Sequence, residues 1–134
     1  LPEALCGDLA TAEILHDVEG IGTQIMQLVT PYPGSLSRSI VEWCSDEIRQ
    51  KLSLLERLIG DEKSIEHELC LSDITASLVR LAFARSRKYL RGFRSLEEQA
   101  KLLKPSDYSV YQLALKLSQR EGLAETTEKI RRLF

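Results

Sequence analysis

Apolar residues return at intervals of three and four through almost the whole chain, and strict alternation of apolar with polar residues is nearly absent. A side-chain period of 3.6 puts such residues on one face of a helix, whereas a half-buried strand needs a period of two, so an all-α fold is expected. With 134 residues, 43% of them hydrophobic and 28% charged, the chain has the size and balance to bury one core. It is expected to form a single domain over residues 1–134 and, because it opens on Leu1-Pro2-Glu3, to be a piece of a larger protein. No run reaches the roughly 18 consecutive apolar residues that a membrane span needs. The most apolar stretch, residues 21–29, is interrupted by Gly22, Thr23, Gln24 and Gln27. Cys6, Cys44 and Cys70 are odd in number and widely spaced among apolar residues, which suits buried thiols and an intracellular location, cytoplasmic or nuclear.

The stripe Ile14, Val18, Ile21, Ile25 and Leu28, led by Leu5, Leu9 and Ala12, predicts a first helix between Pro2 and Thr30. Two prolines and a glycine in Thr30-Pro31-Tyr32-Pro33-Gly34-Ser35 then force a turn. A second helix from about Leu36 to Ile59 carries Ile40, Cys44, Ile48, Leu52, Leu55 and Ile59 on one face, with Gly60 as its stop. A long helical region over residues 65–93 follows, with Ser72 and Asp73 placed to restart it after a break near Leu71. Ser95-Leu96-Glu97-Glu98 has capping-box spacing for a short helix closed by Lys104-Pro105. Ser106 or Asp107 can cap the last helix, whose stripe Val110, Leu113, Ala114 and Leu117 passes Gly122 and resumes at Leu123, Thr127, Ile130 and Phe134. Three long amphipathic segments and a shorter one, joined by short turns, fit an antiparallel up-and-down helical bundle of about four helices.

The net charge of −2 hides an asymmetry. Residues 1–67 hold 5 Lys+Arg against 12 Asp+Glu, a balance of −7, while residues 68–134 hold 13 against 8, a balance of +5. Much of the positive charge is concentrated in Arg80, Arg85, Arg87, Lys88, Arg91 and Arg94. At offsets of seven, four and three, Arg80, Arg87, Arg91 and Arg94 share one face of the expected helix, and Val79, Ala82, Phe83, Leu90 and Phe93 supply its buried face. The planar arginine fork matches carboxylates and phosphates, so the cluster points to an acidic peptide, a phosphorylated segment, an anionic headgroup or a nucleic-acid backbone. The plain alternative is a solvated face, or one paired internally with the acidic half. A pI near 5.8 and the lack of a recognition-helix or zinc-finger signature argue against nucleic acid, and Tyr89 alone is not a stacking platform. Tyr32, set in the rigid Pro-Tyr-Pro-Gly turn, is a candidate contact residue.

Leu15-His16-Asp17-Val18-Glu19-Gly20 resembles the Leu-His-Asp-x-x-Gly pattern around the phosphoryl-accepting histidine of some sensor kinases and, more loosely, of histidine phosphotransfer domains. The resemblance implies an exposed His16 on a helical scaffold. Glu19 stands where phosphotransfer domains usually carry a lysine, and Glu13, Asp17 and Glu19 would repel a phosphoryl group. His67 and Cys70, three apart, have the spacing of a metal-ligand pair but lack the two further ligands that zinc needs nearby. No nucleophile elbow, phosphate-cradling loop or dinucleotide fingerprint occurs, so neither an enzyme nor a cofactor is expected.

These features point to a non-catalytic protein–protein interaction domain, an adaptor or scaffold that docks an acidic peptide or helix of another protein. Its expected contact residues are Arg80, Arg87, Lys88, Arg91, Arg94 and Tyr32. Three alternatives remain: a homodimer or homo-oligomerisation element using surplus apolar positions such as Leu54, Leu58 and Leu81; a nucleic-acid-binding helical domain; and a phosphotransfer-like bundle using His16.

Overall fold

A computed structural model describes residues 3–17 and 19–134. Among them lie seven helices and no strand: α1 (Glu3–Thr11), α2 (Ile21–Val29), α3 (Gly34–Arg57), α4 (Ile65–Arg85), α5 (Leu96–Ala100), α6 (Pro105–Ser118) and α7 (Leu123–Arg132). The all-helical expectation holds, while the four anticipated segments are cut into more and shorter pieces. Among the described residues no helix is long and apolar enough to cross a membrane.

α4 is the central element, packed against α3 on one side and α6 on another, with α7 on α6 and touching α3. Leu71, Ile74 and Leu78 on α4 are fully excluded from solvent, and Leu81, Ala82 and Phe83 nearly so. A helix walled by neighbours on several sides is apolar nearly all round. The periodic residues of α3, Cys44, Ile48, Leu52 and Leu55, face it as the stripe predicts. Val110, Ala114 and Leu117 of α6 and Ile130 of α7 complete the core. Burying each large aliphatic side chain here contributes about 1.5–3 kcal/mol. Leu81, counted in the sequence among surplus apolar positions, belongs to this core and is not available to a second copy.

The expected first helix is two. Asp17 interrupts it: its carboxylate accepts from the amides of Gly22 (3.1 Å) and Thr23 (2.9 Å) and from the Thr23 hydroxyl (2.8 Å). These bonds start α2 afresh after a left-handed Gly20 at φ 73°. Val18 and Pro2, both part of the expected helix, lie outside the described residues.

The chain departs furthest from the expected helix at the end of α4. No break occurs near Leu71, and the N-terminus is capped by Ser64, whose hydroxyl accepts from the His67 amide at 3.2 Å. The helix then stops at Arg85 rather than Phe93. The Arg87 amide donates to the Ala84 carbonyl (3.0 Å) and the Lys88 amide to the Phe83 carbonyl (2.9 Å), with Arg87 left-handed at φ 53°. These paired bonds make a Schellman stop with arginine where glycine is usual. Residues 86–95 therefore leave the helix, Leu90 turns into the core, and Phe93, assigned to the buried face, is 60% exposed.

A buried clamp fixes that stop. Asp107, in the first turn of α6 and 3% exposed, accepts the Ser86 hydroxyl at 2.7 Å and faces the Arg85 Nε at 3.1 Å. The Ser86 oxygen in turn accepts from the Lys104 amide at 3.1 Å. Asp107 is thus not the cap expected from the sequence; Lys104 holds the N-cap position and Pro105 starts the helix. Ser95 does not cap α5 through its side chain either, because the chain reaches it in the left-handed region at φ 54°. α6 ends in a second Schellman stop with Arg120 left-handed at φ 59°, and Gly122 begins α7.

Asp107→Ala leaves the buried Ser86 hydroxyl without its acceptor and removes the anchor of Arg85, so it is expected to cost about 1–3 kcal/mol of stability. Asp107→Asn, which keeps an acceptor for Ser86, should cost less. Urea denaturation midpoints of the two variants check the order.

Candidate functional site: a basic aromatic cleft

The loop released by the end of α4 runs back under α1. It is pinned on both sides. Gln99 of α5 accepts the Arg91 amide (3.0 Å) and donates to the carbonyls of Gly92 (3.3 Å) and Arg94 (2.8 Å). From α1, the Glu3 carboxylate accepts the Leu90 amide at 3.2 Å, and Asp8 pairs with the Arg91 Nε at 2.9 Å. Gly7 lets α1 seat this closely: a Cβ there would fall 2.8 Å from both the Tyr89 Cβ and the Arg91 Cγ.

Between loop, α1 and the Pro-Tyr-Pro turn lies a cleft of about 260 Å³. Its carbon walls are Ala10, Tyr32, Phe83, Tyr89 and Leu102, and Arg87, Lys88 and Arg91 are its cations. The rings of Tyr32 and Tyr89 meet at 4.7 Å between centroids, tilted by 45°. A more open cavity of about 530 Å³ adjoins it, sharing Arg91, Gln99 and Leu102 and adding Arg94, Asp8, Ser95 and Glu98.

Four of the six residues singled out in the sequence, Tyr32, Arg87, Lys88 and Arg91, therefore line one cleft, and Arg94 lines its neighbour. The reason is not the shared helix face, since all four of the basic residues from Arg87 onward lie beyond the end of α4. Arg80 does stay on α4, half-buried, and joins neither cavity; its charge acts on Glu3 and Cys44 behind the Tyr32 wall. Among the described residues, Arg87, Lys88 and Arg94 form no ion pair, whereas Arg85 is paired with Asp107 and Arg91 with Asp8. A Cβ on Gly34 would stand 3.7 Å from an Arg87 terminal nitrogen, so this guanidinium lies over the start of α3. That helix has no side-chain cap and no acidic residue in its first turn, so nothing there offsets the cation.

Behind the cleft the polar groups are short of solvent. Burial raises the Glu3 carboxyl above the ordinary carboxylate range, against the pull of the Leu90 amide and the Arg80 charge. Burial also pushes the Cys44 thiol up to about 11. The Tyr32 hydroxyl is buried without a hydrogen-bond partner among the described residues, and burial, then the Glu3 charge, raise its pKa.

His16 lies in the exposed loop between α1 and α2, not on a helix face, because Asp17 is engaged in starting α2. This removes the helical presentation on which the phosphotransfer resemblance depends. His67 is buried on α4, the Cys70 thiol donates to the Lys51 carbonyl at 3.0 Å, and no group of three or more metal-ligating side chains converges among the described residues. The sequence reading missed the parts of Glu3, Asp8 and Gln99. Nothing in their local patterns marks them, since each acts on a loop far away in the chain or on the far side of a turn.

A carboxyl raised on folding contributes most at low pH, and that contribution is lost as pH rises through its raised pKa. Glu3→Gln removes the titration, so its melting temperature relative to the unsubstituted protein should climb as pH rises above the ordinary carboxylate range. Thermal melts of the pair across mildly acidic to neutral pH read that slope.

No curated protein and no solved structure matches this chain. A family model matches residues 2–94, up to the last arginine of the basic loop. By that match the chain belongs to the family described as a domain of unknown function, DUF4037.

Proposed function

We propose that this domain is a non-catalytic docking module, an adaptor that captures an acidic segment of a partner protein at the cleft bounded by Tyr32, Arg87, Lys88 and Arg91. The scaffold in this reading is an intracellular up-and-down bundle of α3, α4, α6 and α7. The observation that carries it is the contrast between two arginines in the same strained conformation. Arg120 ends α6 left-handed and uses its guanidinium on Glu68 and on the Leu117 carbonyl. Arg87 ends α4 in the same way, and its guanidinium has no such partner among the described residues. A left-handed non-glycine residue costs roughly 1–2 kcal/mol. At Arg120 the bonds to Glu68 and Leu117 recover part of that cost, and at Arg87 an external anion is the corresponding partner. The cleft lining holds three cations and no carboxylate, so a negatively charged segment is complementary to it.

A fluorescent peptide of alternating Glu and Ser tests this by anisotropy. Arg87→Glu with Lys88→Glu is expected to weaken binding about tenfold or more, ~1.4 kcal/mol or above. Arg49→Glu with Arg57→Glu, which changes the net charge equally but lies on α3 away from the cleft, should leave it nearly unchanged. Equal losses from the two pairs would reduce the effect to bulk charge. Arg87→Gly should raise stability by about 1 kcal/mol while weakening capture. Arg120→Gly, giving up its bonds to Glu68 and Leu117, should not share that gain.

One further observation favours a second reading, self-association. Ile21, Ile25 and Leu28 are exposed on α2, which carries no charged residue, and Leu15 beside it is 90% exposed. Sedimentation equilibrium separates this from partner docking, since a monomer at high concentration excludes it.

A further inference from the structure

The chemistry of the cleft also restricts what the acidic segment carries. Beside the neutral polar Thr11, Thr30 and Gln99, its lining is of two kinds: carbon surface from Ala10, Tyr32, Phe83, Tyr89 and Leu102, and cations from Arg87, Lys88 and Arg91. A purely acidic segment satisfies only the second kind and leaves the ring faces wet. The adjoining cavity differs, since the carboxylates of Asp8 and Glu98 line it together with Arg91 and Arg94. Charge and carbon surface are thus demanded together in the smaller cleft. About 260 Å³ is below the range of pockets for whole small-molecule ligands, and is room for one large side chain. The pocket is formed in advance: the Tyr32–Tyr89 contact fixes one wall, Gln99 fixes the loop, and Phe83, 1% exposed, is part of the core. Leu102, which lines both cavities, is left 72% exposed at their junction. Arg91 is oriented by the bond from its Nε to Asp8, and its terminal nitrogens make no hydrogen bond among the described residues.

Resting on the docking reading above, we infer that the partner segment carries one large apolar side chain, aromatic or leucine, flanked by Asp or Glu. The apolar side chain enters between Tyr32, Tyr89 and Leu102, and the flanking carboxylates meet Arg87, Lys88 and the terminal nitrogens of Arg91. The anchor supplies affinity by leaving water, and the carboxylates supply orientation and rate of encounter.

Three nine-residue peptides, each amidated and acetylated to remove terminal charge, decide the matter by anisotropy: Phe flanked by Asp and Glu, the same peptide with Ala for Phe, and Phe flanked by Asn and Gln. The Phe-acidic peptide should bind about tenfold or more tighter than the Ala-acidic one, the gain from burying one large side chain. Ala10→Trp, which fills the cleft from α1, should abolish that preference and leave a residual affinity common to both acidic peptides. Equal affinity of the Phe-acidic and Ala-acidic peptides overturns the anchor and leaves acidic docking intact. Equal affinity of the Phe-acidic and Phe-neutral peptides, or no binding by any peptide, overturns acidic docking and the anchor with it. Should Ala10→Trp fail to fold, NMR of the unsubstituted protein stands in its place. Ring signals of Tyr32 and Tyr89 must shift with the Phe-acidic peptide and not with its Ala counterpart; rings that do not respond overturn the inference.

Discussion

The feature on which this structure turns is a single buried carboxylate. Asp107 sits inside the first turn of α6 and takes the hydroxyl of Ser86 and the guanidinium of Arg85, the two residues at which α4 ends. A buried carboxylate without partners is severely destabilising, so α6 can dock on α4 only where α4 delivers both groups at once. The clamp grips the last right-handed residue, Ser86 at φ −79°, whose amide still bonds to the Ala82 carbonyl, and Arg87 makes the turn just beyond it. The clamp therefore fixes a packing contact at the point where the chain leaves the helix. Ser37 adds a tie from α3, donating to the Ala84 carbonyl at 2.8 Å within the same last turn.

Everything on the cleft side follows from that stop. Once the chain turns out of α4, its backbone groups need new partners, and these come from side chains brought by two other elements, Glu3 from α1 and Gln99 from α5. The loop is thereby held as firmly as a helix end while presenting side chains that a helix would have spread along its length. The small α1–α2 hairpin is drawn into the same arrangement, since Glu3, Gly7 and Asp8 are its attachments to the loop. The N-terminal acidic bias of the sequence thus has a local use. Asp8 neutralises one edge of Arg91, and Glu3 stands behind the tyrosine wall, so neither charge enters the carbon-lined cleft.

How much of this was legible depends on which signal carried it. The stripe of α3 was readable because Cys44, Ile48, Leu52 and Leu55 obey one period and a proline-rich turn precedes them. The end of α4 was not, because Leu90 and Phe93 continue the helical spacing and arginine, not glycine, occupies the left-handed position. A Schellman stop built on arginine leaves no mark in composition; its cause lies 20 residues downstream, between Arg87 and Asp107. The split of the first helix was half legible: Gly20 and Gly22 are both poor residues for a helix interior, but the carboxylate that exploits them, Asp17, reads equally well as an ordinary solvated residue. Clustering of the cations survived the error about the helix, because residues close in sequence stay close in a tight loop.

The clustering of the cations in a tight loop decides what the site can recognise. On a continuous helix the positions from Arg80 to Arg94 would be strung over about 21 Å at 1.5 Å per residue, presenting a stripe suited to a long, evenly charged surface. The observed turn removes Arg80 from the set and folds Arg87, Lys88 and Arg91 around a single cavity walled by two tyrosines. A stripe of charge attracts many anions weakly and discriminates little among them. Cations converging on carbon surface discriminate, because a ligand must match both the charge and the apolar volume beneath it. The helix stop thus converts a run of basic residues with many uses into a site with a narrow one.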